Sequence, residues 1–182
     1  MNLIQAILMG IVQGLSEFLP ISSSGHLVLT SNFYKIFKNI EITHSSQEIF
    51  FDIMLHLGTL IAVLIYFRKD LLAILEDLIK SIKTRNFDSK NSKIGIYIII
   101  GTFFSILIAY PLTNIAQHLV FKPAFVGLIL IMTGGILLLS EFLAKKRNEK
   151  QDITLKSAIL IGIAQGIAAL PGFSRSGLTI AT

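Results

Sequence analysis

Long apolar stretches separated by short polar segments dominate the chain. Three of these stretches, at 49–67, 94–121 and 123–140, carry few ionisable side chains. Each is close to or longer than the roughly 18 residues that a helix needs to cross a bilayer. The pattern predicts transmembrane helices at 49–67, 94–113 and 123–143.

Two further apolar regions, 1–37 and 157–182, are interrupted in their middle by proline, glycine and serine. The first lacks the basic segment of a signal peptide, so we expect it to be part of the mature protein. Aligned at an offset of 152, residues 6–30 and 158–182 are identical at eleven of twenty-five positions. Because Gln-Gly and Ser-x-Ser-Gly recur in the same order, we interpret the two regions as an internal duplication.

Three predicted spans separate the two copies, and an odd number of crossings inverts the second copy relative to the first. Inverted repeats with broken helices that meet near the midplane are a known membrane architecture. Irregular backbone at this depth survives only where protein or a water-filled cavity covers it. We therefore expect 20–25 and 171–177 to face each other around a polar cavity. The predicted fold is an all-α integral membrane protein with one domain over 1–182, an inverted-repeat bundle of re-entrant helix pairs.

Composition and charge agree with a lipid environment. Of the 182 residues, 53% are hydrophobic and only 15% are charged, against roughly 25% in soluble domains. These fractions argue against a soluble enzyme, a coiled coil and a disordered chain. The absence of cysteine excludes disulfide scaffolds, zinc-thiolate sites and thiol nucleophiles.

The placement of the basic residues predicts the orientation in the membrane. Twelve of the sixteen lie in 68–93 and 144–156, and basic residues concentrate in cytoplasmic loops. Within the first segment, 69–85 alternates apolar and charged positions at helical spacing, which predicts an amphipathic helix on the cytoplasmic surface. The tip near 114–122 should then lie outside. Because most of the basic residues behind the net charge of +5 lie in predicted cytoplasmic segments, we expect no nucleic-acid partner.

The expected cavity gathers polar side chains from both copies. They are Gln13, Glu17, Ser22, Ser23, Ser24, His26, Ser174, Arg175, Ser176 and Thr179. Serines before a helix are natural caps, and a helix N-terminus also binds anions. A charge at membrane depth is costly, so Arg175 needs a partner, either Glu17 or a bound phosphate. Asp52 and His56 share one face of a span, either for packing or to line the cavity.

Three segments resemble the undecaprenyl-diphosphatase, or bacitracin-resistance, family. Residues 13–26, QGLSEFLPISSSGH, resemble its first signature, and residues 171–179, PGFSRSGLT, resemble its second. Residues 51–59, FDIMLHLGT, resemble a further family segment. The resemblance implies hydrolysis of undecaprenyl diphosphate to the monophosphate at the outer face of the bacterial cytoplasmic membrane, which recycles the lipid carrier of cell-wall synthesis and confers bacitracin resistance.

The resemblance also implies roles for the cavity residues. Ser23 is the expected nucleophile, with direct attack by water as the alternative, and His26 would deprotonate Ser23 or protonate the leaving phosphate unless it is only a hydrogen-bonded helix residue. Glu17 and Gln13 would coordinate Mg²⁺ or Ca²⁺, or Glu17 would orient His26. The expected phosphate-binding residues are Ser22, Ser24, Ser174, Arg175, Ser176 and Thr179.

Three further expectations concern completeness, partners and a rival function. Family members continue beyond the second signature, so we expect this chain to be a fragment or truncated product, its second repeat incomplete and inactive alone. The expected partners are a polyprenyl diphosphate lipid and the bilayer, with a homodimer left open. The rival is a polyprenyl-phosphate transporter or flippase that uses the same anion cavity, since inverted repeats are common in transporters.

Overall fold

The computed structural model describes residues 3–40, 46–119, 122–145 and 153–182. Within these ranges the regular structure is entirely α-helical. The eight helices are α1 (Leu3–Ser16), α2 (Ser23–Phe37), α3 (Ser46–Tyr66), α4 (Arg68–Thr84), α5 (Lys90–Leu119), α6 (Pro123–Ala144), α7 (Leu155–Ile167) and α8 (Arg175–Ala181). Most of the predicted basic loop at 144–156 and part of the predicted tip at 114–122 lie outside the described residues.

Three of the helices in the described ranges are long and apolar enough to cross a membrane, namely α3, α5 and α6. Their apolar side chains remain largely exposed, including Ile53 on α3, Phe103 on α5 and Ile131 on α6. Lipid is the solvent that suits such a surface, because hydrocarbon tails do not penalise apolar side chains.

The sequence-based helix at 94–113 is too short, because α5 continues at both ends. At the N-terminus, the Ser89 hydroxyl accepts a hydrogen bond from the Ser92 N–H at 3.1 Å and extends the helix to Lys90. At the C-terminus, the helix passes through Pro111 and ends at Leu119. Proline inside a membrane helix is tolerated where neighbouring groups satisfy the freed carbonyl.

The two apolar regions with central breaks form helix pairs. In the first, α1 is followed by a turn over 17–22 and then by α2. In the second, α7 is followed by a turn over 168–174 and then by α8. At 1.5 Å per residue, α1 and α7 are only about 20 Å long, which is shorter than the roughly 30 Å hydrocarbon core. Neither helix can cross the bilayer alone, which agrees with re-entrant pairs.

Helix α6 lies against both breaks, since it packs on α2 and on α8. The Thr133 hydroxyl, buried on α6, lies 3.1 Å from the Gly172 carbonyl oxygen in the second turn. Gly172 has a φ of +103°, and a Cβ there would lie 2.9 Å from the Val126 carbonyl oxygen. Glycine therefore satisfies both the backbone conformation and the close approach of this turn to α6.

Helix α7 lies along α5 at very short range. A Cβ on Gly162 would lie 2.4 Å from the Gly101 carbonyl oxygen, so only glycine fits. The Ser105 hydroxyl then donates to the Gly162 carbonyl at 2.9 Å. Small residues and hydroxyl bonds of this kind hold helices together in lipid, where no hydrophobic force drives their association.

Candidate active site

The two helix breaks share the same serine cap. Ser22 caps α2 by accepting a hydrogen bond from the Gly25 N–H at 3.3 Å, and Ser174 caps α8 by accepting one from the Gly177 N–H at 3.0 Å. Both cap serines are buried, and Ser22 adopts a positive φ of 68°. A serine cap stabilises a helix by about 1 kcal/mol, so the repeated Ser-x-Ser-Gly sequence fixes where each second helix begins.

Hydrogen bonds join the two breaks directly. The Ser22 hydroxyl donates to the Phe173 carbonyl at 3.1 Å, and the Ser176 hydroxyl donates to the Leu19 carbonyl at 3.0 Å. Each break thus satisfies a backbone acceptor of the other, as irregular backbone in a membrane requires. The prediction that 20–25 and 171–177 face each other is consistent with these contacts.

Glu17 is the centre at which the chemistry-bearing side chains meet. Its Oε2 accepts hydrogen bonds from the Ser23 hydroxyl and from Gln13 Nε2, the latter at 3.0 Å. Its Oε1 lies 3.5 Å from Arg175 Nη2. The carboxylate therefore bridges a hydroxyl on α2 and a guanidinium on α8, one from each repeat.

Arg175 keeps most of its donors available. Its side chain is 56% exposed, and its one ion-pair contact within the described ranges is the 3.5 Å approach to Glu17. A guanidinium carries five N–H donors, so several can reach an anion that approaches the pair from its exposed side. An exposed pair of this kind adds little stability, which points to binding rather than to a purely structural role.

Helix α3 contributes a second histidine to the site. His56 Nε2 lies 3.9 Å from Glu17 Oε2, and its Nδ1 lies 2.8 Å from the Asp52 carbonyl oxygen. One turn further, the Thr59 hydroxyl accepts from Gln13 Nε2 at 3.4 Å. The sequence left two roles open for His56, packing or lining the cavity. In the structure His56 lines the cavity. The usable signal was the spacing of polar positions 52, 56 and 59 in an otherwise apolar span.

His26 makes the contact of a hydrogen-bonded helix histidine, one of the roles that the sequence left open. Its Nδ1 lies 2.8 Å from the Ser22 carbonyl oxygen, and no hydrogen bond joins it to Ser23 in the described part of the chain. Ser23 is paired with Glu17 instead. Glu17 is thus the group placed to take a proton from the Ser23 hydroxyl.

The other predicted phosphate-binding residues surround this centre. The Ser24 hydroxyl lies 3.5 Å from the Ser22 hydroxyl, and the Ser176 hydroxyl lies 3.1 Å from that of Ser174. Thr179 donates to the Arg175 carbonyl at 2.8 Å and accepts from Gln165 at 3.2 Å. The four serines hold the breaks in shape, and Thr179 ties α8 to α7.

The donor set can supply part of a divalent-cation site. Glu17 offers carboxylate oxygens, and the Gln13 Oε1 atom is buried without a hydrogen-bond partner in the described ranges. Among the described residues, no group of three or more acidic, histidine or cysteine side chains gathers there. Mg²⁺ keeps several waters and binds through one or two protein oxygens plus substrate phosphates, so this sparse set fits such an ion.

A cleft of about 480 Å³ opens from this centre along α3. Its polar end is formed by Glu17, His56 and Arg175, and its wall by apolar α3 side chains that include Leu57 and Leu60. This cleft can receive a ligand with an anionic head and an apolar body.

Comparison with known proteins shows the family of this chain. The family model described as bacitracin resistance protein BacA matches residues 6–182. Similar proteins named undecaprenyl-diphosphatase occur in Borrelia recurrentis, at 43% identity over 98% of this chain, and in Geotalea daltonii, at 39% over 99%. A third, from Desulforudis audaxviator, is 36% identical over the whole chain.

The chain spans 64%, 64% and 65% of the lengths of these three relatives, respectively. With three spanning helices and this family match, the protein is a membrane protein. The chain belongs to the bacitracin resistance protein BacA family.

Proposed function

We propose that the protein hydrolyses undecaprenyl diphosphate to undecaprenyl phosphate and inorganic phosphate. This reaction would recycle the lipid carrier for cell-wall synthesis and confer resistance to bacitracin. The observation that carries the proposal is the Ser23 hydroxyl on the Glu17 carboxylate, with Arg175 on the other carboxylate oxygen. The names of the relatives support the same activity.

Ser23 acts as the nucleophile and Glu17 as its base. Glu17 takes the hydroxyl proton as Ser23 Oγ bonds to the terminal phosphorus and the bond to the bridging oxygen breaks. Undecaprenyl phosphate leaves, and water then cleaves the phosphoserine, which releases phosphate and restores the hydroxyl. In the alternative mechanism Glu17 activates water for direct attack.

Arg175 binds the phosphate oxygens that carry the developing charge. Its planar fork suits paired oxygen contacts, and its exposure leaves it free to make them. The N-terminal amides of α2 face the same anion and add their partial positive charge. The Arg175 guanidinium and the α2 amides are held in position by Ser22, Ser24, Ser174, Ser176 and Thr179.

The histidines have different tasks in this proposal. His26, on the first turn of α2, protonates the leaving phosphate rather than deprotonating Ser23. His56 holds Glu17 from the α3 side and lines the cleft that receives the diphosphate. The contact of His56 with Glu17 supports the second role.

A divalent cation, Mg²⁺ or Ca²⁺, would be held by Glu17 and by the Gln13 amide oxygen. When bound, it would neutralise charge on the diphosphate. In the structure the Gln13 amide nitrogen points to Glu17. A rotation of the amide by 180° would present the Gln13 amide oxygen to the ion beside the Glu17 carboxylate oxygen. The buried amide oxygen without a partner supports this role.

The apolar wall of the cleft suits the isoprenoid chain, which would continue from α3 into the lipid. We place the protein in the bacterial cytoplasmic membrane with the site open to the outer face, as the basic segments predict. A hydroxyl bonded to a carboxylate has a direct use in hydrolysis and none in carriage, so it supports a hydrolase over a flippase. A homodimer stays a prediction.

The test is phosphate release from undecaprenyl diphosphate by purified, reconstituted protein. Because the relatives are longer, the assay uses both the chain and a fusion protein that adds the C-terminal part of the Borrelia recurrentis relative beyond the matched region. Phosphate release by the fusion protein, lost in Ser23→Ala, is the expected result. Equal release by the Ser23→Ala variant would favour direct attack by water.

A further inference from the structure

One side of α4 is covered by α5. Ile74 and Leu78 reach the α5 backbone at Gly95, where a Cβ would lie 3.4 Å from Ile74 and 3.3 Å from Leu78. Ser81, on the same side, is buried. This contact fixes which way α4 faces and leaves its adjoining side turned away from the helix bundle.

That adjoining side carries an exposed apolar stripe. It consists of Leu72, Leu75, Ile79 and Ile82, which are 55%, 50%, 45% and 61% exposed. Their spacing of three, four and three residues puts them on one face of the helix. An apolar stripe of this length on a short surface helix is typical of a segment that lies in a membrane interface.

The charges of α4 are sorted around this stripe. At about 100° per residue, Lys83, Lys69 and Lys80 lie within roughly 20–80° of Leu72 around the helix. Asp77 and Asp70 lie roughly 140–160° from Leu72, on the opposite side. Glu76 falls within the lysine band, four residues before Lys80. The lysines thus border the apolar stripe on the side away from α5, and two of the three acidic residues point away from it.

The junction between α3 and α4 extends the basic edge. A cleft of about 470 Å³ is lined there by Ala62, Ile65, Tyr66, Arg68 and Lys69. Its basic side chains follow directly on the last turn of a spanning helix, at the depth where lipid headgroups lie.

We propose that α4 is a docking surface for anionic phospholipids. The stripe of Leu72, Leu75, Ile79 and Ile82 inserts at the boundary of headgroups and acyl chains, while Lys69, Lys80 and Lys83 bind the headgroup phosphates. Each lysine near an anionic surface raises the docking equilibrium about five-fold, and three raise it about 100-fold. This surface is separate from the Glu17 site and does not depend on the proposed hydrolysis.

The absence of cysteine makes a direct test available. An environment-sensitive fluorophore on Leu75→Cys reports the surroundings of the stripe, and one on Asp70→Cys reports the opposite face. The labelled chain is placed in nanodiscs of phosphatidylcholine alone or with phosphatidylglycerol. We expect the emission at position 75 to shift to the blue as the anionic fraction rises and to shift back in high salt. Position 70 should stay in water throughout.

The control separates local lysines from net charge. Lys69→Gln/Lys80→Gln/Lys83→Gln should weaken docking by up to about 100-fold, while Lys38→Gln/Lys122→Gln/Lys145→Gln, with the same change of charge, should not. If the first triple variant inserts poorly, Lys83→Gln alone tests the same claim with an expected loss of about five-fold. An equal shift in neutral and anionic nanodiscs, or an equal loss in both triple variants, would overturn the proposal.

Discussion

Ser23 and Arg175 occupy the same place in the two helix breaks, one residue after the serine that caps each following helix. Both contact Glu17, Ser23 on Oε2 and Arg175 on Oε1. The repeated backbone motif therefore delivers a hydroxyl from one repeat and a cation from the other to a single carboxylate. Our interpretation of the two regions as an internal duplication predicts this shared position, which carries a different chemical group in each region.

Arg175→Lys should lower phosphate release by the fusion protein about 100-fold, because a point charge cannot replace a planar fork on phosphate. Membrane insertion should be unchanged, since Arg175 is exposed and its ion pair adds little stability. The matched control is Arg68→Lys on α4, which should keep normal activity. Near-normal turnover by Arg175→Lys would remove the phosphate-binding role.

Glu17→Gln and Ser23→Ala should each lower activity by roughly 100- to 10,000-fold, because the two residues form one nucleophile–base unit. The double variant should then be scarcely worse than the more impaired single variant, since groups that act as a unit are not additive. The comparison needs the rates of the parent, the two single variants and the double variant in one assay. Losses that multiply would mean that Glu17 and Ser23 act in separate steps.

His56→Ala should lower kcat/KM about ten-fold through the loss of its contact with Glu17 and the cleft. His56→Gln should recover part of the loss, because the amide can still donate to the carboxylate. His118→Ala, at the far end of α5, is the control and should change little. If both substitutions at position 56 left the rate untouched, the histidine would serve packing alone.

Gly172→Ala should destabilise the protein by about 2–3 kcal/mol. The new Cβ would meet Ile129 at 2.8 Å in a backbone conformation with φ of +103°. Gly134→Ala is matched to it, since a Cβ there meets nothing within 4 Å. Thermal unfolding of both variants in the same detergent checks the difference, and equal melting temperatures would contradict the close packing of the second break on α6.

A cysteine at Asn114 should react with a membrane-impermeant label in intact cells, while one at Lys80 should be protected. Asn114 lies near the end of α5, at the predicted tip. Lys80 lies in the basic segment that we assign to the cytoplasm. The chain has no other cysteine to confuse the result. The opposite labelling pattern would invert the orientation and move the cleft to the cytoplasmic side.

The sequence predicted the breaks and most of the site because their signals are local. Ser-x-Ser-Gly after an apolar helix marks a cap, and a charged Arg175 in such a segment needs an anionic partner. The partner of Ser23 was not predictable, because the positive φ at Ser22 and the turn over 17–22 bring Glu17 to it in place of His26. No local pattern encodes that turn.

Long-range contacts were the other limit. Gln13 and Thr59 are forty-six residues apart in sequence, and the packing of α1 against α3 brings Thr59 to Gln13 and His56 to the Glu17 carboxylate. The predicted span 94–113 already passes through Pro111, but α5 continues to Leu119. How far a helix continues beyond a proline depends on whether neighbouring groups satisfy the freed carbonyl, which is a matter of tertiary packing.

The central claim is that the cluster around Glu17 hydrolyses a lipid diphosphate. The most direct measurement uses undecaprenyl diphosphate labelled in its terminal phosphate, with the reconstituted fusion protein and its Glu17→Gln variant. We expect stoichiometric release of labelled phosphate and undecaprenyl phosphate by the fusion protein, and release near that of empty vesicles by its Glu17→Gln variant. A fusion protein that inserts correctly yet releases no phosphate, or a Glu17→Gln variant as fast as its parent, would contradict it.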